Sequence, residues 1–169
     1  LISNHNSVER WHYLELNWSK YLSNVDAVLV KDGIEDDEVI KLKTVAVQSW
    51  LYGFEFINTI SIITPKTIIF FGNKEKNKLL ERFRSEAIKV SKEVVLITKT
   101  DKLENKEYDD MFKALAKLGV KTFGIFGNEK QKGRIIELFE ERATKAGHVE
   151  LDVSASVQEM LSVKDAVAI

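Results

Sequence analysis

The chain has 169 residues, 44% hydrophobic and 30% charged, with a formal net charge of -1, three histidines, one proline and no cysteine. This is the size and mixture of one globular domain that builds a core without staples. It excludes disulfides, thiolate metal sites and cysteine nucleophiles, and it suits a reducing compartment. It also lacks the strongly basic balance of a domain dedicated to nucleic acid.

The opening LISNHNS lacks the basic-then-apolar layout of a signal peptide, and no apolar run reaches the roughly 20 residues of a membrane helix. No membrane partner is expected, and the start at Leu1 reads as a fragment of a longer chain. Asn6, with Glu9 three residues on, reads as a capping box. Val8, Trp11, Leu14, Trp18, Tyr21 and Leu22 then form one helical stripe. DAVLV (26–30) reads as a short buried strand, and the charged 31–43 stretch as a connection. In VAVQSWLYGFEF (45–56), Val47, Trp50, Leu51 and Phe54 keep helical spacing, with Thr44 as the cap and Gly53 as the stop. Their rings read as core, because no Lys or Arg lies between 44 and 65 to make a stacking platform for bases. Tyr52 and Glu55 are expected to point outward.

TISIITPKTIIFF (59–71) is two β-branched runs joined through Thr64-Pro65-Lys66, a link short enough to force an antiparallel pair. One helix is expected over 73–90, with Leu79, Leu80, Phe83 and Ala87 on its apolar face. Strands at 93–98, 121–127 and 148–153 alternate with helices. The first of these helices carries Tyr108, Met111, Phe112, Leu115 and Leu118, and the second Ile135, Ile136, Phe139, Ala143 and Ala146. SASVQEMLSV reads as a last short helix. This alternation predicts an α/β fold with a mixed β-sheet and helices on both faces.

The chemical motifs are sparse. None of His5, His12 and His148 has a partner at metalloprotease spacing. His148, Asp152 and Ser154 lie close in sequence, but nothing there resembles a nucleophile elbow. GNEKQKGR (127–134) sits where phosphate loops sit, yet five residues separate its glycines and Arg134-Ile135 follows. It reads as a turn into a helix. The acidic group Glu35, Asp36, Asp37 and Glu38 lacks calcium-loop spacing and reads as solvated. Residues 74–92 carry seven cations against three anions. A solvated helix face is the simpler account of that run, and contact with phosphate or an acidic partner the sharper one.

The ordered set DAVLV, QSWLYGFEF, TISIIT, FGIFGNEKQKGRIIELFEE and LDVSASVQEMLSVKD resembles the N-terminal domain of the large subunit of FACT, a histone chaperone. The resemblance implies a lobe like the smaller N-terminal lobe of aminopeptidase P and creatinase. Residues 1–162 would form that lobe, and 163–169 would begin the connection to a following pita-bread lobe. It implies a noncatalytic interaction module, nuclear and chromatin-associated, acting in nucleosome reorganisation during transcription, replication and repair. Its partners would be histones, chiefly H3–H4 with the 2A–2B pair as a further candidate, and the small FACT subunit through other domains. No catalytic, cofactor-binding or metal-binding residue is expected, and no sequence-specific nucleic acid. Lys74 and Lys76 are the candidate protein-binding residues. Glu75 between them interrupts the lysine run that such chains often carry there. Two other readings stand beside this one: the N-terminal lobe of an active metal-dependent aminopeptidase P or prolidase, and direct nucleic-acid binding through 74–92.

Overall fold

In the computed structural model, residues 6–34, 36, 38–102 and 105–164 are described. Their elements in chain order are α1 (Ser7–Tyr21), β1 (Ala27–Asp32), α2 (Leu42–Tyr52), β2 (Thr59–Ile63), β3 (Thr67–Gly72), α3 (Lys74–Leu79), α4 (Glu81–Ile88), β4 (Glu93–Thr98), α5 (Asn105–Leu118), β5 (Thr122–Ile125), α6 (Arg134–Lys145), β6 (Val149–Asp152) and α7 (Ser154–Lys164). The strands form one sheet in the order β4-β3-β2-β1-β5-β6. β2 runs against both neighbours, and every other pair is parallel. The sheet is mixed for the reason the Pro65 link predicts. Thr64 closes that turn: its backbone N–H and hydroxyl both donate to the Thr67 carbonyl at 2.8 Å.

Period-two alternation sends successive strand residues to opposite faces. Val28, Val30, Ile63, Ile68, Phe70 and Val94 meet residues of α1, α2, α4 and α7. Ala27, Leu29, Ile60, Ile62, Ile69, Phe71 and Phe123 meet α5 and α6. The sheet therefore separates two cores and is covered on both faces, which is why its central strands read as unbroken apolar runs.

The aromatic stretch is core. Trp50, Leu51 and Phe56 are buried, and Tyr52, Phe56 and Phe70 stack edge-to-face with centroids 5.2–5.7 Å apart. Burying rings of this size contributes roughly 1.5–3 kcal/mol each. Tyr52, expected outside, is only 1% exposed, and its hydroxyl donates to Ser61 Oγ at 2.9 Å. α2 packs against both α1 and β1, so more than one stripe of it is enclosed.

Residues 73–90 form two helices. The break falls at Leu80, whose N–H donates to the Asn77 carbonyl and whose side chain is buried. The interruption leaves Leu80, Phe83 and Ala87 inside and Leu79 48% exposed. Leu118, the last residue of α5, is also exposed. Asn6 precedes α1 without a side-chain capping bond. α2 begins at Leu42, before the expected Thr44, and its cap comes from elsewhere in the chain.

Candidate interaction surface

The carboxyl ends of β1, β3, β4 and β5 open on one end of the sheet, where α/β folds place their sites. Adjacent residues at the end of β1 point to opposite faces, and each enters a cluster of one lysine and two carboxylates. Asp32 is 0% exposed; its Oδ1 accepts from Lys41 Nζ at 3.0 Å, and Lys41 also pairs with Glu55 at 2.9 Å. Burial first, and the Glu55 carboxylate second, push the Asp32 carboxyl up to about 7. On the other face Lys31 pairs with Glu140, and Glu150 lies beside them. The Glu150 carboxyl is raised as well, chiefly by burial. Two carboxylates against one ammonium leave each cluster with an excess acid that is easier to keep protonated.

The loop after β5 supplies the missing cap of α2. Glu129 accepts from the backbone N–H of Lys43 at 2.7 Å and of Thr44 at 3.0 Å, and from the Thr44 hydroxyl at 2.8 Å. The loop also holds Gly33, whose N–H donates to Gln131 Oε1 at 3.0 Å. A Cβ at Gly33 would lie 2.0 Å from the Lys132 carbonyl oxygen, so this close approach requires glycine. The GNEKQKGR turn thus binds its own neighbour's helix terminus. Sequence spacing cannot reveal that partnership, because its members lie 85 and 86 residues apart.

The basic run is dispersed by the fold. Lys92 is buried and donates to Glu15 and to the Pro65 carbonyl, with its ammonium 5.0 Å from the Trp11 ring centre. Lys92, then Lys66, hold the Glu15 carboxyl down to about 2. Lys76 donates to the Ile57 carbonyl, while its backbone N–H is capped by Asn73 at 2.9 Å. Burial, and then Lys99, lower its pKa. Arg84 pairs with Glu81 at 2.8 Å and Arg82 with Glu86 at 3.6 Å. Lys74, Lys78 and Lys89 remain as exposed cations of the run. Phe83 is buried and offers no ring to a base.

Of the acidic loop, Asp36 pairs with Lys132 at 3.2 Å and Glu38 is exposed; Glu35 and Asp37 lie outside the described residues. His5 lies outside them too. His12 sits on α1, 3.6 Å from Glu15. His148 stacks on Phe123 with centroids 4.7 Å apart. Ser154 gives both its N–H and its hydroxyl to Asp152, at 2.9 and 2.6 Å, at the far end of β6 from His148. These three residues therefore make no nucleophile–base pair. Among the described residues no group of three or more His, Asp or Glu side chains is placed to hold a metal ion, and none of their helices is long and apolar enough to cross a membrane.

This surface sits on a known framework. The profile of the FACT complex subunit SPT16 N-terminal lobe domain matches residues 2–156. FACT complex subunit SPT16 of Yarrowia lipolytica is 29% identical over 83% of this chain and 13% of its own length. That of Arabidopsis thaliana is 26% identical over 95% and 16%. The chain thus spans about one seventh of such relatives. Among solved structures, the N-terminal domain of FACT complex subunit SPT16 from Cicer arietinum superposes with a TM-score of 0.78 at 22% identity, over 92% of this chain and 37% of that one. The X-Pro aminopeptidase of Thermotoga maritima follows the same fold more loosely, with a TM-score of 0.51 at 16% identity over 88% and 35%. The chain belongs to the FACT complex subunit SPT16 N-terminal lobe family.

Proposed function

We propose that this chain is a noncatalytic protein-interaction lobe of a FACT-type histone chaperone, working in the nucleus on chromatin. The family match over residues 2–156 carries the reading. Its partners on this reading are histones, H3–H4 before the 2A–2B pair, and its processes are nucleosome reorganisation in transcription, replication and repair. The small FACT subunit meets other parts of the full protein. Residues 1–162 act as the lobe, and the segment from 163 leads toward a following one. The aminopeptidase P reading shares the fold, and the family match over residues 2–156 supports the chaperone reading over it.

Within the lobe, the exposed rim cations Lys74 and Lys78 suit an acidic patch on a partner. Lys76 contributes by holding the Ile57 carbonyl, which fixes the rim's shape. Basic tails suit the acidic side near Asp36 and Glu38. Retention of H3–H4 by the immobilised chain tests the reading. Rim reversals Lys74→Glu with Lys78→Glu should weaken retention about tenfold if the rim makes the contact. Retention no better than that of an unrelated protein of equal charge would reject the histone reading altogether.

A further inference from the structure

The two edges of the sheet are built differently. β6 is four residues long and carries Glu150 and Asp152, and short charged strands blunt an edge. β4 is six residues long, reads EVVLIT, and has neither proline nor an internal charge. Glu93 N–H donates to the Lys66 carbonyl and Lys99 N–H to the Gly72 carbonyl, both on the β3 side. Backbone groups alternate along a strand, so the odd residues of β4 face β3. Val94, Leu96 and Thr98 therefore present their N–H and C=O groups outward.

The chemistry of this edge is self-complementary about Leu96. In an antiparallel pairing with a second copy, Leu96 meets Leu96, and Val94 meets Thr98, as hydrogen-bonded pairs. The pairs between them set Val95 against Ile97 and Glu93 against Lys99. Every apolar residue then faces an apolar one or Thr98, and each end of the ladder closes on opposite charges. Lys99 already sits near a second cation, Lys76, whose pKa it lowers. The two cations suit an incoming carboxylate, which would sit beside the Glu107 carboxylate that already accepts from the outward Thr100 N–H at 2.8 Å. β6 offers no such match: paired on itself it would bring Glu150 and Asp152 together.

We infer that the β4 edge is a homodimer interface, in which two chains join antiparallel through Glu93–Lys99 into one continuous twelve-stranded sheet. The twofold axis passes through Leu96. This goes beyond the chaperone reading and does not depend on it.

Sedimentation equilibrium of the 169-residue chain over a range of concentrations tests the interface. The wild type should associate reversibly to a dimer. Glu93→Lys alone and Lys99→Glu alone each put like charges at both ends and should weaken association about tenfold. Mixing the two single variants should restore it, because each chain then supplies what the other lacks. The double variant Glu93→Lys with Lys99→Glu should restore it within one chain. Circular dichroism confirms that each variant is folded. A wild type that stays monomeric throughout, or single variants that fail to associate on mixing while folded, would overturn the interface.

Discussion

The two faces of the sheet are held by different means. On the α1/α2 face three rings use their polar ends: Trp11 Nε1 donates to the Thr64 carbonyl at 2.9 Å, Trp18 Nε1 to the Val25 carbonyl at 3.2 Å, and the Tyr52 hydroxyl to Ser61 Oγ at 2.9 Å. On the α5/α6 face one stripe from each helix packs on the strands, and the buried Tyr108 hydroxyl donates to the Ile135 carbonyl at 3.1 Å. The first face combines burial with three ring hydrogen bonds and loses both when one of those rings is removed. The second depends mainly on burial. Trp11→Ala should therefore cost more than Phe139→Ala, although both side chains are fully buried. Large aromatic truncations cost about 3–5 kcal/mol. Trp11 belongs at the top of that range, because its loss also frees the Thr64 carbonyl and removes the ring beside the Lys92 ammonium. Denaturant midpoints for the two variants measure the difference, and equal values would erase the distinction between the faces.

The two lysine–carboxylate clusters extend the comparison to pH. An aspartate in an unfolded chain titrates near 3.9, whereas burial and Glu55 raise Asp32 to about 7. The folded state thus holds the proton more tightly. The stability this contributes is complete below about pH 4 and fades as pH rises through about 7. Between pH 5 and 8 the loss should be roughly 2 kcal/mol. Asp32→Asn keeps the shape and should flatten that slope, giving a more stable protein at pH 8 than the wild type. Glu150 is raised in the same direction, but its cluster is open to solvent on the Glu140 side. Glu150→Gln should flatten the profile much less. Thermal melts across pH decide this, and a wild-type profile that Asp32→Asn leaves unchanged would show that Asp32 is ionised throughout.

The hydroxyl pairs give a smaller and cleaner test. Tyr52→Phe strands Ser61 Oγ between α2 and the sheet and should cost about 1–2 kcal/mol. Tyr108→Phe leaves only a helix carbonyl that retains other acceptor geometry, so about 1 kcal/mol or less is expected. Adding Ser61→Ala to Tyr52→Phe should recover part of the loss, a coupling that a double-mutant cycle reads directly.

The same contrast explains what the sequence made legible. α5 and α6 are one-sided, and the stripes Tyr108, Met111, Leu115 and Ile135, Ile136, Phe139 stand in the structure as their spacing predicts. The hairpin and the two-faced sheet follow from Pro65 and from strand–helix alternation. α2 is enclosed on several sides, so a single-stripe reading places Tyr52 outside. The break at Leu80 is invisible locally, because both halves keep helical spacing and the interruption is a single buried residue. The Asp32 cluster and the Glu129 cap join residues from separate segments, and no periodicity records such a meeting. The rim lysines were visible as charge; that Lys76 holds Ile57 was not.

Glu129 carries the smallest expected effect and the most local one. A helix N-terminus favours a carboxylate through its free N–H groups and its dipole, and losing such a cap costs about 1 kcal/mol. Here the carboxylate arrives from the loop after β5 and ties α2 to the far half of the sheet. Glu129→Gln retains an acceptor but loses the charge. It should cost less than 1 kcal/mol of global stability while speeding amide exchange at Lys43 and Thr44. On the α5/α6 face the comparable tie is short-range: Glu107 accepts from the Thr100 N–H seven residues away, at 2.8 Å. Glu107→Gln should loosen only the backbone at Thr100 and the start of α5. If Glu129→Gln leaves exchange in α2 unchanged, the α1/α2 face does not depend on its polar ties in the way the rings suggest.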